Sequence, residues 1–379
     1  MKRLAYIPAG SLTDAAILAG TFALLSALTY YICAPDLCFL EHTATYIDYG
    51  PATDSILSQP GGYVRVWALW LQQWFVDPMT ASLIMGALFS VITMSLYRII
   101  RRLTGLRRLM PLALIPSLTL ISAHTGIDYR IDSTVAVALT AICLLPVAAF
   151  SGTWTWIVMP LAGSVLVSVM AGPAGMLFAI CAVIISIAVD SRRGLFSLAG
   201  VLAAAVIAYH AYSSGAWPSV GNAMLPWGYY PHWHHGEMSD LLPWIATAGL
   251  VIVAAVVGHV GLGARVKSRL IPTLSCTLAA VALVWTFHAG VVRHADSFTT
   301  MWLHSSAHEW DKVTAQYKDV DKEDATMQNF LNLALAEKGT LCDYLFWHPN
   351  NGVAALHNTE RKSPYTYMLL SDVYYSMGF

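Results

Sequence analysis

The sequence predicts an all-α, polytopic membrane protein with about nine transmembrane helices and a helical domain at its C-terminal end. Three observations predict this fold class. Of the 379 residues, 57% are hydrophobic and only 11% are charged, whereas a typical soluble domain has about 25% charged residues. The apolar residues form long runs. Charge is concentrated late in the chain, since residues 293–379 carry 18 charged side chains and residues 1–292 carry only 25.

Nine apolar segments are long enough to cross the hydrocarbon core of a membrane, which takes about 20 helical residues. We divide the long apolar run near its middle, at Gly172-Pro173, because this pair is typical of a helix break. Pro111 and Pro116 predict a bend in the short third segment. The predicted spans are 15–33, 79–98, 109–123, 133–150, 155–171, 174–189, 195–212, 242–261 and 270–292, which make residues 1–292 the transmembrane domain.

The positions of Lys and Arg predict the orientation of the chain. With nine spans, 12 of the 14 basic residues before residue 293 fall on one side of the membrane, and that side is predicted to be cytoplasmic. The N-terminus is then cytoplasmic, in a bacterial inner membrane, and residues 293–379 lie in the periplasm. Arg65 and Arg130 are the two exceptions. The apolar run after Met1-Lys2-Arg3 is long and lacks a cleavage site, so we expect a retained anchor.

A tryptophan-rich segment, residues 63–76, is too short and too polar for a span. Trp67, Trp70 and Trp74 recur at helical spacing, which puts three indoles on one face of a helix. Arg65 lies at the start of the same segment. Such a helix is typical of the membrane interface, where indole rings lie at the level of the lipid headgroups.

The C-terminal region shows a helix–turn–helix rhythm that predicts a tetratricopeptide-like, helical-repeat domain. Helices in such repeats bury their apolar faces only against a neighbouring helix. The last predicted helix has no successor, so we expect either that the natural chain continues or that a protein partner completes the stack. The predicted helices are 296–307, 309–318, 324–338, 341–347 and 364–377.

Two short motifs carry a family resemblance. The first is Pro60-Gly61-Gly62 followed by LQQWF at 71–75, and the second is NLALAEKG at 332–339 followed by Leu341 and YLF at 344–346. With these motifs the chain resembles an uncharacterised bacterial membrane-protein family, domain of unknown function 6057, over most of its length. The resemblance implies further helices after residue 379. It implies no catalytic residue, because the family has no established chemistry.

The layout of the chain is also similar to that of type C glycosyltransferases, membrane enzymes that use polyprenyl-phosphate sugars. They have an acidic residue near the first span and interfacial helices after it, which Glu41, Asp48 and the 63–76 helix match. His42 follows Glu41 where these enzymes have a second acidic residue, so the resemblance is limited. It implies Glu41 and Asp48 as catalytic carboxylates, with His42 and Arg65 at the substrate. The alternative, which we favour on general grounds, is a solvated acidic loop with Arg65 as an anchor.

The second outer loop contains Asp128, Arg130 and Asp132. Arg130 either pairs with the acidic residues on each side of it or joins a polar pocket with the first outer loop. The structural pairing is favoured, because exposed ion pairs of this kind are common. In the pocket interpretation, Asp128 and Arg130 are candidate substrate-binding residues.

The third outer loop, about 213–241, carries His232, His234, His235 and Glu237 within six residues. Imidazole and carboxylate groups suit zinc, copper or nickel, so a divalent metal is conceivable here. Ligands from one short loop rarely complete a tetrahedral site, however, so we predict no metal site here and leave open whether the protein uses a cofactor. These four residues are candidates for binding a substrate headgroup, and an ordinary interfacial loop is the favoured alternative.

Several classes of function are excluded or disfavoured. The net charge of −1 argues against nucleic acid as a partner. No span contains a buried carboxylate, as an ion-coupled transporter would need, and no phosphate-binding glycine loop is present. Cys33 and Cys38 lie close together in sequence, and we leave open whether they form a disulfide.

Two functions from different classes remain. The first is a glycosyltransferase-like enzyme that uses a polyprenyl-phosphate sugar, and it predicts that the outer loops converge on one polar cavity. The second is a non-enzymatic scaffold or envelope-assembly protein, and it predicts an apolar surface on residues 293–379 that binds a protein partner. In both cases the lipid bilayer surrounds the chain.

Overall fold

The computed structural model describes residues 12–43, 50–126, 129–150, 152, 154–230, 238–260, 270–295, 298–316, 325–347, 352–355, 364–376 and 378. All regular secondary structure within these ranges is helical. Three 3₁₀ helices, Arg107–Leu114, Pro226–Tyr229 and Gly352–Ala355, accompany the α-helices. The α-helices are α1 (Leu12–Ile32), α2 (Ala34–Thr43), α3 (Gly50–Leu57), α4 (Gly62–Gln72), α5 (Pro78–Thr104), α6 (Ile115–Ala123), α7 (Ile131–Ala149), α8 (Thr155–Ala171), α9 (Ala174–Val189), α10 (Ser191–Ser213), α11 (Val220–Met224), α12 (Met238–Val260), α13 (Leu270–Ala295), α14 (Phe298–Ser306), α15 (Trp310–Ala315), α16 (Ala325–Glu337), α17 (Leu341–Tyr344) and α18 (Pro364–Ser376).

Six of the described helices, α1, α5, α7, α10, α12 and α13, are long and apolar enough to cross a membrane. Two further apolar helices, α8 and α9, are shorter, with 17 and 16 residues. The third predicted span is a 3₁₀ helix that contains Pro111, followed by α6 with Pro116 in its first turn. The chain is therefore a helical membrane protein, and the finer count of nine spans is not confirmed by length alone.

The helices pack as a bundle around α5 and α9. Helix α5 contacts α1, α7 and α12, and α9 contacts α7, α8, α10 and α12, whereas α13 packs on α6 at the edge. The outer helices expose large apolar side chains: Leu195 and Leu202 on α10 and Val284 on α13 are 67–69% exposed. Soluble proteins rarely expose apolar faces of this extent, so lipid is the natural neighbour of these faces.

Basic residues gather at one end of the bundle, which we call the basic end. Arg101, near the end of α5, pairs with Asp14 at the start of α1, with 3.1 Å between Nη1 and Oδ1. Arg102 donates hydrogen bonds to the carbonyl oxygens of Ala148 and Ala149 at the end of α7. These contacts tie the start of α1 to the ends of α5 and α7, as an alternating, antiparallel arrangement requires.

The C-terminal helices form a second core that is joined to the bundle through α2. Helix α16 packs against α14, α15 and α18. Phe39 of α2 is fully buried in this core, with its ring 5.3 Å from that of Trp302. The Thr299 hydroxyl donates to Asp36 of α2 at 2.8 Å. The predicted helices are present, but their unequal lengths do not confirm a tetratricopeptide-like repeat.

Candidate functional site

A cavity of about 550 Å³ lies at the end of the bundle opposite the basic end, and we call it the outer cavity. Three segments that are distant in sequence form it: the α3–α4 corner, the start of α7, and the chain between α10 and α12. Its lining residues are Ile56, Gln59, Pro60, Gly61, Gly62, Arg65, Arg130, Asp132, Gly215, Ala216, Trp217, Pro218, Asn222, Gly228, Tyr229 and Tyr230.

The Pro60-Gly61-Gly62 motif shapes the floor of the outer cavity. Gly61 has a positive φ of 85°, which favours glycine, and its amide donates to the Val169 carbonyl oxygen at 3.0 Å. Its backbone touches that of Gly172, which also has a positive φ, at the break between α8 and α9. The motif therefore forms the turn that leads into α4, and this turn is bonded to the backbone at the break between α8 and α9.

Arg130 and Asp132 form the wall of the cavity contributed by α7. Arg130 immediately precedes α7, and Asp132 lies in its first turn. The Arg130 Nη2 and Asp132 Oδ2 atoms are 3.1 Å apart, with the side chains 23% and 3% exposed. The second carboxylate oxygen, Asp132 Oδ1, has no hydrogen-bond partner within the described part of the chain. The favoured pairing of Arg130 with an acidic neighbour is present. The same pair also lines the cavity, and its role in binding a substrate stays a prediction.

Arg65 approaches the cavity from the first turn of α4. Its side chain is exposed. Within the described part of the chain, no carboxylate pairs with it, whereas Arg130 has Asp132. Arg65 therefore presents a guanidinium group whose donors are free for an anionic ligand.

Aromatic residues line the cavity on the side of the third loop. Tyr229 donates its hydroxyl hydrogen to the Ala171 carbonyl oxygen and accepts from the Ala174 amide at 3.3 Å, which fixes its ring at the α8–α9 break. Burial raises the pKa of both Tyr229 and Tyr230, and Asp240 adds to the effect at Tyr230. Both phenols are therefore neutral at physiological pH.

Glu41 lies on α2 and does not line the outer cavity. It is half-buried and close to the thiol of Cys38. Burial first, and then the charges of Asp77, Glu41 and Asp36, raise the Cys38 pKa to about 12. Cys33 and Cys38 are both buried free thiols.

The other candidate residues fall outside what the structure describes. His42 belongs to α2, but its side chain is not described. Asp48, Asp128 and the third-loop residues His232, His234, His235 and Glu237 lie outside the described residues. In the remainder of the chain, no group of three His, Cys, Asp or Glu side chains is arranged to hold a metal ion.

The tryptophan-rich segment forms α4 and the turn after it. Val64 and Ala68 are fully buried, whereas Trp67, Trp70 and Trp74 are 42–53% exposed on the opposite side. The predicted face of three indoles is therefore present. It extends from the same helix that carries Arg65.

The fold and the outer cavity together define an α-helical membrane protein with a polar cavity at one end of its bundle. The chain belongs to the family of unknown function DUF6057, whose family model matches residues 12–379. The family resemblance expected from the two motifs is thus confirmed. No curated protein and no solved structure shows a significant match, so the layout similarity to type C glycosyltransferases stays a prediction.

Proposed function

We propose that the chain crosses a bacterial inner membrane nine times, with its N-terminus in the cytoplasm and residues 293–379 in the periplasm. The nine predicted spans each coincide with an apolar helical segment, counting α8, α9 and the 3₁₀ helix that leads into α6. Arg101 and Arg102 lie with other basic residues at one end of the bundle. Because basic residues are enriched on the cytoplasmic side of membrane proteins, this supports a cytoplasmic basic end. The outer cavity then faces the periplasm.

For function, we propose that the outer cavity binds the phosphate of a polyprenyl-phosphate sugar and that the protein is a type C glycosyltransferase-like enzyme. The observation that carries this proposal is the convergence of the three outer segments on one cavity that contains Arg65 and Arg130. These are the two arginines that depart from the charge bias of the membrane domain. A guanidinium group matches phosphate in charge and in the spacing of its donors.

The position of α4 supports a ligand that is anchored in lipid. Its exposed indole face is suited to the headgroup layer. Arg65 lies about half a turn before Trp67 and about one and a half turns before Trp70 on this helix, so a helix seated in that layer holds the guanidinium near the depth of a lipid phosphate. A soluble phosphate ester would need no such placement.

In the proposed reaction, an acceptor hydroxyl attacks the anomeric carbon of the sugar, and the bond from that carbon to the phosphate oxygen breaks. The electron pair leaves with the lipid phosphate, whose charge Arg65 and Arg130 stabilise. A carboxylate takes the hydroxyl proton. Glu41 and Asp48 stay the predicted candidates for this base, although Glu41 does not line the cavity.

Binding of undecaprenyl phosphate to the full chain in nanodiscs, measured by native mass spectrometry, tests the proposed site. Loss of charge-assisted hydrogen bonds in Arg65→Ala should weaken binding by about 10- to 100-fold. Arg107→Ala, an exposed arginine at the basic end, is the matched control and should bind like the natural chain. Equal binding by both variants, or no preference for undecaprenyl phosphate over undecaprenol, would overturn the proposal. If Glu41→Gln still binds undecaprenyl phosphate but no longer transfers the sugar, that result would support Glu41 as the base.

A second candidate function, the partner-binding scaffold, is favoured by exposed aromatic side chains in the C-terminal region. Phe346, Trp347 and Tyr375 are 76–86% exposed. Large exposed aromatic side chains are typical of protein interfaces. Co-purification of one stoichiometric protein, lost in Phe346→Ala with Trp347→Ala but kept in Arg65→Ala, would favour the scaffold over the enzyme.

A further inference from the structure

The Asp132 carboxylate is a buried acceptor in the wall of the outer cavity that the phosphate-binding proposal leaves unused. Only 2% of the residue is exposed. Its Oδ2 atom pairs with Arg130, whereas Oδ1 has no hydrogen-bond partner among the residues that the structure describes. A buried charged oxygen without a donor is costly, so such atoms are normally paired by protein, water or ligand.

The surroundings of Asp132 restrict what the missing donor can be. Arg130 already supplies one cation to the carboxylate, so a further cation is not required for charge balance. An ionised carboxylate accepts hydrogen bonds and donates none. A hydroxyl group, of water or of a ligand, is the simplest neutral donor, and sugars carry several.

The remaining lining also suits a sugar ring. Trp217, Tyr229 and Tyr230 contribute aromatic surface, and Asn222 and Gln59 contribute polar amides. A few polar groups among apolar and aromatic ones are typical of small-molecule sites, whose usual volumes are about 300–1,000 Å³. The cavity volume of about 550 Å³ lies within that range.

We infer that Asp132 binds a hydroxyl group of the ligand through Oδ1, so that the outer cavity selects polyhydroxylated phosphate esters, that is, sugar phosphates. This inference rests on the proposed function, because Arg65 and Arg130 hold the phosphate of the same ligand. Asp132 then has two partners on two oxygens: Arg130, which it orients toward the phosphate, and the sugar hydroxyl. Phosphate gives the cavity its affinity, and Asp132 gives it discrimination between esters.

The test compares two phosphate esters of similar ring size on the full chain in nanodiscs by isothermal titration calorimetry. Glucose 1-phosphate carries ring hydroxyls, and cyclohexyl phosphate carries none. The natural chain should bind glucose 1-phosphate about 10- to 100-fold more tightly, the usual range for a hydrogen bond to a charged acceptor. Asp132→Asn should lose most of this preference, because it removes the hydroxyl contact of glucose 1-phosphate, whereas its effect through Arg130 on the phosphate is shared by both esters. Asp54→Asn, an exposed carboxylate on α3 outside the cavity lining, should keep it.

The possible outcomes distinguish failure of the Asp132 hydroxyl contact from failure of the proposed phosphate site. Equal affinity of the natural chain for the two esters would overturn the hydroxyl contact and leave the phosphate site standing. The same holds if Asp132→Asn keeps the full preference. If neither ester nor inorganic phosphate binds, the phosphate site itself is wrong and the inference fails with it. The comparison in the natural chain needs no variant, so a folding defect in Asp132→Asn cannot mask the result.

Discussion

Substitution of Gly62 by alanine should open the corner on which the outer cavity is built. A methyl group at Gly62 would overlap the carbonyl oxygen of Ile56. It would also lie 2.8 Å from the Ile56 carbonyl carbon and 3.0 Å from the Leu57 Cα atom. All three are backbone atoms, so no side-chain rotation relieves the overlap.

The size of the effect follows from these distances. Carbon atoms pack at about 3.5–4.0 Å, so α3 and α4 must separate by about 0.7 Å or more. Overpacking of this kind usually costs about 1–3 kcal/mol, and we expect the upper part of this range because backbone must move. At about 2–4 °C per kcal/mol, the unfolding temperature should fall by several degrees. Since Ile56 and Arg65 line the cavity from the two sides of this corner, phosphate binding should weaken as well.

Thermal unfolding followed with a thiol-reactive dye is a suitable assay. Once the exposed Cys276 and Cys342 and the half-buried Cys143 have been blocked, the buried Cys33, Cys38 and Cys181 react only on unfolding. Gly249→Ala on α12 is the matched control, because no neighbouring atom of the described residues lies within 4 Å of its added methyl group. It should leave stability unchanged or raise it slightly, as alanine favours helix over glycine. If Gly62→Ala unfolds at the same temperature as Gly249→Ala, the packing argument is refuted.

Two further predictions concern ion pairs. Asp14→Asn leaves the buried Arg101 guanidinium without its carboxylate and should destabilise the fold by about 3 kcal/mol, measured in the same dye assay; a shift no larger than that of Asp54→Asn would contradict it. The hydrogen bond from Lys338 lowers the pKa of Asp311. The ion pair therefore stabilises the fold at a pH above the pKa that Asp311 has in the unfolded chain. This stabilisation is lost as the pH falls through the lower pKa that Asp311 has in the folded chain. Between about pH 5 and pH 3, the unfolding temperature of the natural chain should therefore fall more than that of Lys338→Gln, which lacks the ion pair. If the two unfolding temperatures depend on pH in the same way, the ion pair contributes nothing to stability.

Helix positions were largely predictable because each depends on local sequence. The division at Gly172-Pro173 was correct, since α8 ends at Ala171 and α9 begins at Ala174. The bend expected from Pro111 and Pro116 is present as a 3₁₀ helix that passes into α6. These signals act within a few residues and need no knowledge of packing.

The site was predictable only in part. Arg65 and Arg130 stood out because they depart from the charge bias of the other basic residues. Asp132 was visible only as a neighbour of Arg130, because its burial and its free oxygen arise from the packing of the α7 start against the third loop. Tyr229 and Tyr230 looked like ordinary interfacial residues for the same reason.

The role of α2 had no local signal at all. The contacts from Asp36 to Thr299 and from Phe39 to Trp302 join residues about 260 positions apart. No periodicity or composition reports a contact over such a separation. Their consequence is that α2, which carries Glu41, is part of the docking surface for the C-terminal helices.

The short helices α8 and α9 have a consequence for the membrane itself. At 1.5 Å per residue, 17 and 16 residues extend only about 25 Å, less than the roughly 30 Å hydrocarbon core. In the proposed nine-span arrangement, the bilayer beside these helices must thin to match them. The break between α8 and α9 lies at the floor of the outer cavity. Local thinning of the bilayer here would bring lipid headgroups to the level of that floor. A long-chain lipid could then present its phosphate without leaving the leaflet.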